Sequence, residues 1–126
     1  MCLVMVVEDN VVFRRSFVEM LQGRFPEIRI EEAGDGADAM NKLLAALPDL
    51  VFTDIRLPGE NGLEVARRIK NVSRETRVGV LTSYDLPEYR EAAYKNGADY
   101  FFVKWETPRD EIFKVVASVI SALNQV

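Results

Sequence analysis

Short apolar runs alternate five times with longer stretches in which apolar residues recur every three to four positions. Runs of the first kind mark buried strands, and stretches of the second mark helices with one covered face. Leu3 to Val7 therefore reads as a strand, and Asn10 to about Gly23 as a helix with Phe13, Phe17, Met20 and Leu21 inward. Phe25-Pro26 ends that helix, because the residue before a proline is steered away from helical angles. Ile28 to Ala33 alternates like a more exposed strand, and Ala37, Met40, Leu44 and Leu47 carry the next helical stripe. Leu50 to Thr53 is the third strand, followed by a helix from Glu60 to about Val72 with Gly62, Val65, Ala66 and Ile69 inward. Val78 to Leu81 is the fourth strand, and Pro87 to Lys95 is helical with Asn96-Gly97 as its stop. Tyr100 to Val103 is the fifth strand. The last helix is expected to take Thr107 as N-cap and Pro108 at its first position, with Ile112, Val116, Val119, Ile120 and Leu123 as its stripe.

Strands that alternate with helices pair in parallel through right-handed crossovers, which covers both faces of the sheet. The expected architecture is an α/β, flavodoxin-like (βα)5 three-layer sandwich, its parallel five-stranded sheet in the order 2-1-3-4-5. In that order the ligand crevice lies at the carboxyl ends of the first and third strands. No linker, repeat or low-complexity segment breaks the pattern, so residues 1–126 are expected to form one domain.

Composition narrows the function more by exclusion than by suggestion. The chain is 48% hydrophobic and 29% charged with a net charge of -4, which offers no electrostatic footprint for nucleic acid or an anionic membrane. Met1 to Val7 is too short for a membrane span or signal peptide and has no basic residue before it, so a cytoplasmic location is expected. Cys2 is the single cysteine and reads as a small buried hydrophobe. Histidine is absent, which removes Ser-His, Cys-His and His-metal chemistry and any phosphohistidine of the chain's own.

The polar residues that close the strands carry the chemistry. Val6-Val7 runs into Glu8-Asp9, Phe52-Thr53 into Asp54, Leu81 into Thr82-Ser83, and Phe102-Val103 into Lys104. If these ends share one rim, three carboxylates, a hydroxyl and an ammonium meet there, the makings of a metal-assisted phosphoryl-accepting site. Each residue alone has a plainer reading. Asp9 or Asn10 can cap the first helix, Asp54 can stabilise a turn, Lys104 can be a snorkelling surface lysine, and Thr82 suits a strand end. Arg14 with Arg15, and Arg67 with Arg68, read as solvated helix faces, and Met40 and Phe17 as core.

Taken in order, the motifs resemble the receiver domain of two-component response regulators over essentially the whole chain. Val6-Val7-Glu8-Asp9-Asn10 resembles that family's acidic opening, and Glu32-Ala33-Gly34-Asp35-Gly36-Ala37-Asp38-Ala39 its turn into the second helix. Asp54-Ile55-Arg56-Leu57-Pro58-Gly59-Glu60-Asn61-Gly62 resembles the phosphoacceptor loop, with leucine where methionine is common. Leu81-Thr82-Ser83 and Gly97-Ala98-Asp99 through Lys104 complete the set, and the details are most similar to receivers of helix-turn-helix transcriptional regulators.

The resemblance implies that Asp54 is the nucleophile and becomes the aspartyl phosphate. It implies that Asp9, Asp54 and the backbone carbonyl of Arg56 hold Mg2+, with Glu8 binding through water and Mn2+ able to substitute. Lys104 and Thr82 would then contact phosphoryl oxygens, with backbone donors from Leu57 and Ser83. Thr82 and Phe101 would form the switch, read out on the fourth helix, fifth strand and fifth helix, or on the first and fifth helices. Tyr84, Tyr89, Tyr94 and Trp105 lie in or near the first of these surfaces. Implied partners are a sensor histidine kinase or small phosphodonor, an output domain or downstream protein, and a second copy after phosphorylation. Direct nucleic-acid binding by this domain and membrane association are not expected.

Trp105 departs from the family pattern, where proline often follows the lysine in a cis bond. Such a bond before a non-proline costs about 2.5–4 kcal/mol, so the local geometry at Lys104-Trp105 is left open. Arg56 and Tyr84 flank the site and are expected to tune the life of the acyl phosphate. Other function classes fit less well. A phosphatase of the haloacid dehalogenase type wants a second aspartate two residues after the nucleophile, where Arg56 stands. A flavin carrier would set a hydroxyl- and glycine-rich loop where Glu8-Asp9-Asn10 would repel the phosphate. A stand-alone receiver acting by protein contact remains an alternative, whereas the intact acidic set argues against a degenerate one. A phosphoacceptor rather than a turnover enzyme is the expected outcome.

Overall fold

The run Leu3–Val7 (β1) is apolar and rich in valine, which favours a strand buried on both faces. The computed structural model describes residues 1–125; Val126, inside the expected domain bounds, lies outside them. Asn10 then caps Val11–Arg24 (α1), its side chain accepting from the Phe13 N–H, and Phe25 closes the helix with a bond to the Leu21 carbonyl. Arg29–Ala33 (β2) is the exposed edge strand. Asp35 caps Gly36–Ala45 (α2) by accepting from the Asp38 N–H. The fully buried Leu50–Thr53 (β3) follows.

Next comes a short antiparallel pair, Arg56–Leu57 (β4) with Glu60–Asn61 (β5). Gly62–Val72 (α3), Arg77–Thr82 (β6), Pro87–Lys95 (α4), Tyr100–Val103 (β7) and Arg109–Leu123 (α5) complete the chain. The five long strands form one parallel sheet in the order β2-β1-β3-β6-β7, which is the expected 2-1-3-4-5 arrangement once the hairpin strands are set aside.

Alternate side chains of the sheet feed opposite layers. Val4, Val6, Leu50, Phe52, Leu81 and Phe102 pack with α1 and α5. Met5, Val7, Val51 and Val78 pack with α2 and α3. Val80, Phe101 and Val103 pack beneath α4 together with Ile55 and Leu63. Cys2 is buried as expected, and burial, followed by the charge of Asp49, pushes its thiol up to about 11.

Several local expectations need correction. The inward stripe of α2 is Gly36, Ala39, Met40 and Leu43. Leu44 is 69% exposed, and Leu47 and Ala37 also face outward. Both stripes have helical spacing and share Met40, and contact with Val51 and Val65 selects the set that includes Ala39 and Leu43. Leu123 is likewise half exposed at the end of α5. Thr107 does not cap α5. Its hydroxyl accepts from the Val103 N–H at 2.8 Å, while Pro108 takes the cap position without a side-chain bond. The third helix begins at Gly62 rather than Glu60, because Asn61 caps it by accepting from the Leu63 N–H at 2.8 Å.

Gly62 has a steric reason. A Cβ built there would lie 1.7 Å from the Asp54 carbonyl oxygen, and its N–H donates to the Ile55 carbonyl at 2.7 Å. The helix thus starts directly against the backbone of the loop after β3. Gly62→Ala is expected to lower the unfolding free energy by about 3 kcal/mol, read as a lower urea midpoint at unchanged slope. A variant as stable as the parent would show that the loop gives way freely.

Candidate functional site

Sheet register assembles the rim. Val7 lies opposite Thr53, so the next residues, Glu8 and Asp54, leave adjacent strands side by side. Thr82 lies opposite Val103, which delivers Lys104 from the next strand pair. Carboxylate oxygens of Glu8, Asp9 and Asp54 lie within 4.8 Å of one another. The Lys104 Nζ donates to Asp54 Oδ2 at 2.8 Å and to Glu8 Oε1, bridging the two carboxylates. The remaining oxygens are held by backbone: Asp54 Oδ1 accepts from the Ile55 N–H at 2.7 Å, and Glu8 Oε2 from that of Asn10 at 3.0 Å. Glu8 is 2% exposed and Lys104 is also buried, whereas Asp9 faces solvent.

The donor set suits a hard divalent cation: three carboxylates converge, one of them solvent-facing, as expected for an ion that retains waters. Glu8, Asp9 and Asp54 are the residues that could hold it. Arg56, whose carbonyl was expected to join them, sits in β4 with its guanidinium 4.3 Å above the Tyr84 ring.

Thr82 is wholly buried, and its hydroxyl accepts from the Tyr84 N–H at 3.3 Å. Phe101 is also buried, in the cluster beneath α4, with the Arg90 guanidinium 4.7 Å from its ring. The Lys104–Trp105 bond is trans, and Trp105 takes a left-handed φ of 68°. Of the aromatics near this face, Tyr84, Tyr94 and Trp105 are exposed and Tyr89 is half-buried.

Two residues near the rim do more than their sequence pattern suggested. Arg14 is not simply solvated: its Nη1 donates to the Glu8 carbonyl at 2.6 Å and its Nε to Glu32 Oε1 at 3.0 Å. It thereby holds the peptide from which Asp9 projects. A signal existed in the sequence, since a cation in the first turn of a helix opposes the helix dipole and asks for a tertiary partner. Phe13 belongs to the inward stripe as expected, yet its ring also lies 4.4 Å from the Lys104 Nζ. Helical periodicity carries no sign of that contact. Arg68 pairs with Glu60, whose carboxylate fills the space beside Gly36.

Comparison with known proteins agrees with this geometry. Residues 4–117 match the family model described as the response regulator receiver domain, and the chain belongs to that family. It is 34% identical over 113 residues to the probable transcriptional regulatory protein NarL of Mycobacterium tuberculosis, covering 90% of this chain and 52% of the relative. The signal receiver domain of the putative response regulator NarL from that organism superposes with a TM-score of 0.83 at 32% identity, over 98% of each chain. The DNA-binding transcriptional activator DevR/DosR of the same organism is 39% identical over 102 residues, 80% of this chain and 46% of the relative. Response regulator protein TrrA from Thermotoga maritima, solved in complex with Mg(2+)-BeF, superposes with a TM-score of 0.83 at 32% identity, over 94% of this chain and 99% of that one. The chain spans about half the length of the curated relatives it matches. It is thus a receiver domain, a signalling module of two-component response regulators. No helix among the described residues is long and apolar enough to cross a membrane.

Burial pushes the Glu8 carboxyl above its usual range, and the hydrogen bonds from Lys104 and Asn10 only partly offset this. Burial opposes the charge on Lys104, but its bonds to Asp54 and Glu8 and their charges outweigh it and hold the ammonium above its ordinary 10.5. A raised carboxyl means that the folded chain takes up that proton first, so Glu8 adds stability as pH falls through its folded value. The Lys104 contribution is full below 10.5 and is lost as pH rises through its own raised value. Lys104→Ala would leave the Glu8 charge buried without its counterion. The expected cost near neutral pH is about 3 kcal/mol, narrowing as acid protonates Glu8. Urea titrations at a series of pH values measure it, and a deficit that widens towards acid would contradict the assignment.

Proposed function

We propose that this receiver domain accepts a phosphoryl group on Asp54 from the phosphohistidine of a sensor kinase, or from a small donor such as acetyl phosphate. The observation that carries this reading is the buried Lys104 ammonium shared by Glu8 and Asp54 beside a third, solvent-facing carboxylate, Asp9. An Asp54 Oδ forms the new bond to phosphorus, and the P–N bond of the donor histidine (or the P–O bond of acetyl phosphate) breaks with its electron pair leaving on the donor. Mg2+ held by Glu8, Asp9, Asp54 and the Arg56 carbonyl, or Mn2+ in its place, would neutralise charge on the phosphoryl oxygens.

The chain's own residues do the rest. Ile55 N–H and Lys104 orient the Asp54 carboxylate for in-line attack. Once the phosphoryl group arrives, the Lys104 ammonium turns from the carboxylates to one of its oxygens, and the N–H groups of Leu57 and Ser83 supply further bonds. Thr82 turns its hydroxyl from the Tyr84 N–H towards another oxygen. Phe101, already inward, then repacks beneath α4 and alters the α4-β7-α5 face. Relatives of about twice this length act in transcription according to their names, so the output is most simply transcriptional, through a DNA-binding domain outside this one, with pairing of two receivers after phosphorylation.

Incubation with acetyl phosphate and Mg2+ is expected to yield one acid-stable, hydroxylamine-labile adduct per chain. Asp54→Ala or a chelator should abolish it. An adduct that persists in Asp54→Ala, or steady turnover of unrelated phosphate esters, would sink the reading and favour a phosphatase.

Arg14→Ala should weaken Mg2+ binding roughly ten-fold, the usual effect of losing a partner that orients a ligand-bearing peptide. Titration followed by the emission of Trp105 reads this, and thermal midpoints compared alongside separate it from unfolding. Unchanged Mg2+ affinity would remove Arg14 from the site.

A further inference from the structure

Lys104 has a neighbour that charge pairing does not account for. Its Nζ lies 4.4 Å from the centroid of the Phe13 ring, within the range where a cation is drawn to an aromatic face. Phe13 in turn takes Trp105 edge-on, with centroids 5.3 Å apart and planes at 83°. A buried ammonium, a ring of α1 and a surface indole thus adjoin one another in turn. The indole is 82% exposed although it is the bulkiest side chain of the molecule. Its left-handed backbone is a conformation that residues with side chains rarely adopt.

That backbone is held from both sides. The Lys104 N–H donates to the Thr82 carbonyl at 2.8 Å. The N–H groups of Glu106 and Thr107 donate to the Val103 carbonyl at 3.2 and 2.9 Å, and the Thr107 hydroxyl accepts from the Val103 N–H. The turn therefore aims Trp105 back over α1. There Phe13, Trp105, Met20, Arg109 and Ile112 border a cavity of about 260 Å³ between α1 and α5. The contact with Phe13 is the reason visible in the structure for an exposed tryptophan in this place.

We propose that Phe13 is a positioning residue for Lys104, and that the Phe13–Trp105 pair reports the position of the ammonium on the α1–α5 surface. This rests on the phosphoryl reading above. While Asp54 is unmodified, the two carboxylates and the Phe13 face hold the ammonium in place. A phosphoryl group on Asp54 draws the ammonium off Glu8 and changes its position over the ring. The ring follows, and the edge contact with Trp105 shifts. The α1–α5 surface is thereby coupled to the occupancy of the site by a route that does not pass through Thr82 and Phe101.

Trp105 is the only tryptophan, so the full chain carries its own probe. Its emission would be followed during reaction with acetyl phosphate at saturating Mg2+, with intact-protein mass recording the adduct on the same samples. The parent is expected to show an emission change that keeps pace with adduct formation. Phe13→Leu should form the adduct more slowly, by roughly five-fold for the loss of one cation–ring contact, with little emission change at full adduct. Phe13→Tyr keeps an aromatic face and should restore both. Full phosphorylation of the parent with unchanged emission overturns this proposal alone, as does a Phe13→Leu variant that reacts and responds like the parent. Absence of adduct from the parent overturns the phosphoryl reading and this one together. The parent measurement and the tyrosine variant keep the outcome decisive even if leucine impairs folding.

Discussion

Parallel pairing of β1 with β3 in the Val7–Thr53 register leaves Glu8 and Asp54 at neighbouring chain exits, and the turn after Glu8 adds Asp9. Three like charges at such spacing repel, the more so because Glu8 is cut off from water. Lys104, delivered by the Thr82–Val103 register, supplies a buried cation that touches both Glu8 and Asp54. Electrostatics at the sheet's carboxyl end is therefore strained in one sense and satisfied in another. The acidic group persists because an ammonium sits within it, and that ammonium is the cation best placed to respond when charge is added.

The backbone around this rim is as constrained as the charge. Gly62 packs against the Asp54 carbonyl with no space for a side chain, and the hairpin Arg56–Asn61 is tied to the third helix by the Asn61 cap. On the other side, Arg14 fastens the Glu8 carbonyl to Glu32 of the edge strand. Asp54 and Asp9 thus stand on loops pinned from behind, with the Asp54 carboxylate held by Lys104 and the Ile55 N–H and that of Asp9 facing solvent. Such an arrangement meets the requirement that charged groups be set in place before the reacting charge arrives.

Much of this was legible from strand-end residues alone. Five parallel strands ordered by α/β alternation bring Glu8, Asp9, Asp54, Thr82 and Lys104 to one edge, and they are found there. What stayed hidden depends on choices between equal local options. Two stripes of helical spacing were open to α2, and only packing against Val51 and Val65 decided for Ala39 and Leu43 over Leu44 and Leu47. Thr107-Pro108 carries the usual signs of a helix start, but the Val103 N–H captured the threonine hydroxyl. The two-residue strands at Arg56 and Glu60 are too short for periodicity to register. Arg14 and Phe13 escaped because their partners lie on other elements, where no sequence spacing points.

Two lines of side chains leave the rim in different directions. One is the proposed switch pair of Thr82 and Phe101: Val80, two residues before Thr82, is the register partner of Phe101, which is capped by Arg90 of α4, so movement there would perturb the fourth helix. The other runs from Lys104 through Phe13 to Trp105, towards α1 and α5. They differ in what they sense. Thr82 is a neutral hydroxyl that accepts from a backbone N–H, and under the proposed function it would respond to an acceptor oxygen placed within reach. Lys104 is a charge shared between two carboxylates, and under the proposed function it would respond to net charge at Asp54. A cation entering among Glu8, Asp9 and Asp54 would therefore act first on the lysine line, before any phosphoryl oxygen exists for Thr82 to meet. Partners on the two faces would read different states of one site: the α1–α5 face the charge, and the α4 face the phosphoryl group itself.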